Sequence, residues 1–171
     1  TIERRDDDSL VCDNGLLRVG MNADGSIRSV IDLARGRELV PSGSLMGVYE
    51  LLKDEPSVYD AWEIERDALL MHDTIEGGRV IAVDCDGDRA AVTVRNEFGS
   101  STIETTMTLR RGARAIDFHC SIDWRERERF LKVDLPVSLV ALDAQYDAQY
   151  GLVQRPIAKS TASEEAKFES C

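Results

Sequence analysis

Hydrophobic alternation is sharpest over residues 115–139. In its first half Ile116, Phe118, Cys120, Ile122 and Trp124 share one parity, and Asp117, His119, Ser121 and Asp123 take the other. In its second half Leu131, Val133, Leu135, Val137 and Leu139 alternate with Lys132, Asp134, Pro136 and Ser138. Successive side chains of a strand point to opposite faces, so each run predicts a strand with one buried and one wet face. Residues 125–129 alternate Arg and Glu between the runs, which suits an exposed connection. The pattern predicts a long antiparallel hairpin with one face on a core, and a buried Cys120.

The same period recurs in shorter runs. Strands are predicted over residues 10–12, 16–21, 26–32, 38–40, 45–52, 79–84, 89–98, 101–109, 144–150 and 151–155. Turn chemistry separates them: Asp24-Gly25, Asp86-Gly87-Asp88 and Arg111-Gly112-Ala113 supply the positive φ or side-chain bonds that tight turns need. A short helical turn is predicted around residues 65–71, closed by Gly77-Gly78. Residues 1–9 read as a loose acidic entry, and residues 157–171 show no period. Short strands punctuated every ~8–12 residues are the pattern of an all-β antiparallel sandwich. No alternating helices and no fixed-period repeat are visible, which argues against a parallel βαβ sheet or a propeller. One domain over residues 1–171 is the expectation.

Composition narrows the partners. With 171 residues the chain can bury a substantial core. Its formal net charge of −11 disfavours nucleic acid or an anionic membrane as the main partner, and leaves neutral or cationic partners, with neutral sugars among them. No apolar run approaches a membrane span and no signal peptide is evident. The chain starts at Thr1 and breaks off at Cys171, as a piece of a longer protein would. Cys12, Cys85, Cys120 and Cys171 form no C-x-x-C pair, so reduced cysteines are expected rather than a disulfide framework.

Candidate chemistry is sparse. His72 and His119 are the only histidines and lie far apart, which does not make a metal site. There is no G-x-S-x-G, no phosphate-binding glycine loop and no H-E-x-x-H. Carboxylates are abundant, but abundance alone selects no catalytic pair. Tyr59, Asp60, Trp62 and Glu63 mix rings with carboxylates just after Pro56, and Tyr146, Gln149, Tyr150 and Arg155 form a second mixture. Rings that stack on sugar C–H faces and polar groups that bond hydroxyls make such loops suitable for carbohydrate. From composition alone, Trp62 is better suited to plugging a sandwich edge.

Several motifs occur in a familiar order. They are Asn14-Gly15-Leu16-Leu17-Arg18-Val19, Asp24-Gly25-Ser26-Ile27, Gly36-Arg37-Glu38, Tyr59-Asp60-Ala61-Trp62-Glu63-Ile64 and Phe98-Gly99-Ser100-Ser101-Thr102-Ile103. Ile116-Asp117-Phe118, Asp123-Trp124, Leu131-Lys132-Val133, Gln149-Tyr150-Gly151, Arg155-Pro156 and Ala166-Lys167-Phe168-Glu169 follow. Together they resemble the β-domain that follows the catalytic domain in α-mannosidases of glycoside hydrolase family 38, most closely the cytosolic type. The resemblance implies a large antiparallel supersandwich, similar to the galactose mutarotase-like fold, in a cytoplasmic protein. It implies a parent enzyme that removes terminal α-mannose with retention, through a glycosyl-enzyme intermediate. The aspartate nucleophile and the zinc would lie in a preceding catalytic domain, with no catalytic residue, metal or cofactor in this piece. The implied partners are that catalytic domain and mannosides or oligosaccharides, touched through Asp60, Trp62 and Arg155. The pattern departs from the family where Tyr59 and Glu63 replace Trp and Asp, and where Ile157-Ala158 replace Thr-His. The residues by themselves also admit a free-standing carbohydrate-binding module or, less well, a mutarotase-like enzyme.

Overall fold

A computed structural model of the chain describes residues 1–59, 64, 66–158, 160 and 161. It forms two compact units, residues 1–138 and residues 139–171. The first unit opens with β1 (Ile2–Arg4), β2 (Leu10–Asp13), β3 (Leu17–Met21), β4 (Ile27–Asp32) and β5 (Arg37–Glu38), an antiparallel sheet in chain order. Next come β6 (Val48–Lys53), the short helix α1 (Arg66–Leu70), β7 (His72–Thr74), β8 (Arg79–Cys85), β9 (Arg89–Phe98), β10 (Ser101–Arg110), β11 (Ile116–Asp123) and β12 (Arg129–Asp134). They build a second sheet, β11-β10-β9-β8, and a third, β12-β6-β7. The second unit holds one antiparallel pair, β13 (Asp143–Ala148) and β14 (Gly151–Pro156).

The first two sheets pack face to face. Val19, Met21, Ile27 and Val30 of the first meet Val92, Val94, Met107 and Leu109 of the second, all buried. Each such side chain contributes roughly 1.5–3 kcal/mol through area removed from water. A smaller cluster joins the third sheet to the second through Tyr49, Ile75 and Ile103, with Leu51, Phe98 and Leu131 against them. The antiparallel all-β sandwich read from the alternation is the architecture of this unit.

The hairpin predicted over residues 115–139 does not form. β11 pairs with β10, setting Phe118 opposite Met107 and Ile122 opposite Ile103. β12 pairs with β6, setting Leu131 opposite Leu51 and Val133 opposite Tyr49. Alternation fixes which face a side chain takes, not which strand lies alongside. The Arg/Glu segment is a crossing between two sheets, and it is anchored. Glu126 accepts hydrogen bonds from the Ser100 amide (2.9 Å) and the Ser101 hydroxyl (2.8 Å), and Ser101 Oγ accepts from the Arg125 amide (2.8 Å). The Glu126 carboxylate fills the space where a Cβ on Gly99 would stand.

Burial on these strands also departs from expectation. On the second sheet Ile103 and Met107 are 0% and 2% exposed, whereas their β11 partners Ile122 and Phe118 are 47% and 41% exposed. Val133 and Leu135 are similarly half-exposed, and the Cys120 thiol is exposed rather than buried. Residues 1–9 contain β1, which pairs with β2, and residues 72–74 form β7 on the edge of the third sheet. Both are polar edge strands without an apolar parity.

Candidate functional site

Of the residues expected to meet sugar, Asp60 and Trp62 lie outside the described residues, as does Glu63. Tyr59 is exposed, with a backbone φ of 34°. Arg155 is half-buried on β14, opposite Ala144. Tyr146 opposes Val153, so side-chain alternation puts Tyr146 and Arg155 on one face of the β13–β14 pair. Gln149 and Tyr150 form the turn at its end, with Tyr150 fully exposed. Two members of that mixture therefore share a face, and two sit at the turn.

One large concavity carries no local signature in the sequence. A cleft of about 610 Å³ opens in the first unit between the second and third sheets. Its floor is Val94, Thr105 and Met107, and Phe118, Cys120 and Ile122 form one side. Tyr49, Leu131 and Val133 form the other, while Asp24, Glu76, Asn96 and Lys132 place polar groups around it. These residues come from seven strands or loops, so nothing local in the sequence marks them. The local signals that do exist are Gly25 and Gly78. Gly25 has φ +88°, and a Cβ there would stand 2.3 Å from Val94 Cγ2. A Cβ on Gly78 would stand 2.3 Å from the Asp24 carbonyl oxygen. The two glycines let the β3–β4 turn, the β7–β8 connection and the sheet approach closely at one end of the cleft.

At the centre of the cleft the Tyr49 hydroxyl lies 2.7 Å from Thr105 Oγ1 and 3.2 Å from Cys120 Sγ, hydrogen-bonded to both. Burial, with help from Cys120 and against the hydrogen bond with Thr105, pushes the Tyr49 phenol up to about 12. It stays neutral at physiological pH. The three groups satisfy one another, and the arrangement suits contact rather than proton transfer near neutrality. Elsewhere His72 Nε2 faces the Glu50 carboxylate at 3.3 Å. Among the described residues no group of three His, Cys, Asp or Glu converges as a metal site would require.

Fold and cleft geometry leave the lineage open; the sequence comparison decides it. Residues 12–171 match the glycosyl hydrolases family 38 C-terminal domain. The chain belongs to this family. Mouse alpha-mannosidase 2C1 is 30% identical over 166 residues, which are 95% of this chain and 16% of the mouse protein, and the human protein of the same name gives the same figures. Alpha-mannosidase G of Dictyostelium discoideum is 25% identical over 98% of this chain and 16% of its own length. The family 38 chain thus spans 16–17% of the length of the curated relatives it matches. An alpha-mannosidase crystal structure from Enterococcus faecalis V583 superposes with a TM-score of 0.68 over 90% of this chain and 20% of that one, at 16% identity. That likeness is one of fold, and it agrees with the antiparallel β architecture of this family 38 domain.

Proposed function

We propose that this family 38 domain serves as the non-catalytic C-terminal β-domain of an α-mannosidase, bracing a catalytic domain of the same polypeptide. The observation that carries the reading is the pattern of coverage: 95% of this chain aligns with relatives named alpha-mannosidase, yet spans only 16% of them. The Tyr49 hydroxyl, kept neutral by burial and bonded to Thr105 and Cys120, supports it, since such a group contacts rather than catalyses. The chemistry then belongs to the remainder of the parent, as retaining hydrolysis of terminal α-mannose at a zinc-holding site. A cytoplasmic parent fits the likeness to the 2C1 type. Asp60, Trp62 and Arg155 are the residues proposed to reach the sugar from this domain.

The test uses the full-length protein and 4-nitrophenyl α-D-mannoside. Hydrolysis is expected, with loss on chelation and recovery on adding zinc. A full-length protein that leaves every α-mannoside intact sinks the reading. Trp62→Ala is expected to lower kcat/KM by about tenfold or more, the equivalent of ~1.4 kcal/mol in transition-state binding. Unchanged turnover in that variant removes the sugar contact from the proposal and leaves the bracing role.

A further inference from the structure

We infer that the cleft edged by β11 and β12 seats an extended, apolar-alternating segment of the same polypeptide from outside residues 1–171, added as a strand along the free edge of β11. The inference rests on the reading of this chain as one domain of a longer α-mannosidase.

Edge geometry comes first. Among the described residues β11 is hydrogen-bonded to β10 alone and β12 to β6 alone, so each presents one unpaired backbone edge there. Both strands turn apolar side chains into the one cleft: Phe118 and Ile122 from β11, Leu131 and Val133 from β12. In two rows across the second sheet, those of Ile103 with Ile122 and Met107 with Phe118, burial is complete on β10 and stops at β11. Protein interiors pack without gaps of about 610 Å³, and contiguous apolar surface of this kind marks an interaction site.

The shape and chemistry select the occupant. Two copies of this chain meeting here would set concave against concave and leave the cleft unfilled. A sugar would find mostly aliphatic walls, and the polar atoms at the centre already bond one another. An extended segment meets both needs. Its backbone pairs with the β11 edge, and every second side chain drops into the cleft. Its other face would lie beside Asp117, His119, Ser121 and Asp123, where Asp117 is paired with Arg110 and Asp123 with Arg125, which suits polar residues there. Relatives matched over 95% of this chain carry most of their length outside the matched part, which is chain enough to supply the segment.

Cys120 is the probe, because its thiol lines the cleft, and exposed Cys85 on β8 is the control in the same molecule. In native full-length protein, maleimide is expected to label Cys120 on the order of 100-fold more slowly than Cys85. Hydrogen exchange is expected to be as slow on β11 as on β10, in a protein that light scattering shows to be monomeric. Equal labelling rates, fast exchange at alternate β11 amides, or protection that appears only on dimerisation overturns the inference. Ile122→Glu is expected to speed Cys120 labelling at least tenfold with Cys85 unchanged, and no change overturns it as well. Mannosidase activity is read separately. An active enzyme with a freely labelled Cys120 sinks the inference alone, whereas a protected Cys120 in a protein without activity supports the added strand and sinks the proposed function.

Discussion

Asn14 ties together two turns that are distant in sequence. Its side-chain amide donates to the carbonyls of Arg110 (2.7 Å) and Ala113 (2.8 Å), and its side-chain oxygen accepts from the amides of Leu16 (3.0 Å) and Leu17 (2.8 Å). Asn14→Ala strands all four partners and is expected to cost about 1–3 kcal/mol in urea unfolding. A change within about 0.3 kcal/mol would show that water replaces them freely. Gly25 makes a different demand. A side chain there meets Val94 and must hold φ at +88°, so Gly25→Ala is expected to cost roughly 2 kcal/mol or more. Gly43 also has positive φ but open space around it, and Gly43→Ala should cost only about 1 kcal/mol. Equal losses at the two sites would rule out the Val94 contact as the cause. Titrating groups set the pH range. Burial alone would raise the Glu38 carboxyl, but hydrogen bonds from Ser29 and from the Val40, Val30 and Leu39 amides hold it below its usual range. The Arg35 guanidinium does the same for Asp32. A carboxyl lowered in the folded state contributes stability above its unfolded value and loses it as pH falls through the folded one. The urea midpoint should therefore fall as pH drops below about 4.5, and Glu38→Gln should blunt that fall. Tyr49 acts at the other end. Its folded value of about 12 gives a contribution that is complete below about pH 10 and is lost between there and about 12.

Among the elements, alternation was legible and partnership was not. β9 and β10 have the bounds that their Val and Thr/Ile parity predicts, to within a residue. β11 lies where its alternation places it, whereas β12 takes only the first half of its run and residues 135–139 form no strand; a short charged connection also serves a hairpin tip and a crossing equally well. What decides between them is the bond set of Glu126 with Ser100 and Ser101, a contact 25 and 26 residues long in sequence that no local pattern announces. β1 and β7 escaped notice because a three-residue strand with at most one apolar side chain shows no period of two. Tyr59 to Glu63 stood out as a cluster of rings and acids, while the cleft did not, because its residues run from Asp24 to Leu135 in small numbers per element. Ile103 and Phe118 show the difference in energy. Both carry the apolar parity, but only Ile103 is enclosed within residues 1–138. Ile103→Ala in the full-length protein is expected to lower stability by about 2–5 kcal/mol, read from the urea midpoint. A loss under ~1 kcal/mol would mean that the second cluster does not hold the third sheet.

At the scale of the molecule, charge and ion pairs pull in opposite directions. The net charge of −11 repels itself in the compact state. Ion pairs such as Arg95 with Glu97 (2.9 Å) and Glu104 (3.2 Å) are largely solvent-exposed and contribute little. Raising NaCl should therefore lift the thermal midpoint modestly, by screening repulsion more than attraction. A fall of several degrees in calorimetry would mean that the ion pairs matter more than their exposure allows.

The unpaired edge of β11 carries a practical rule for handling these residues apart from their neighbours. Residues 116–123 contain no proline and no lysine, the two residues with which natural edge strands most often discourage unwanted pairing. A proteolytic or expressed piece that keeps this edge bare should precipitate by joining strand to strand, and should do so faster as it is concentrated. Ser121→Lys, on the face away from the cleft, is the smallest change that should keep such a piece in solution.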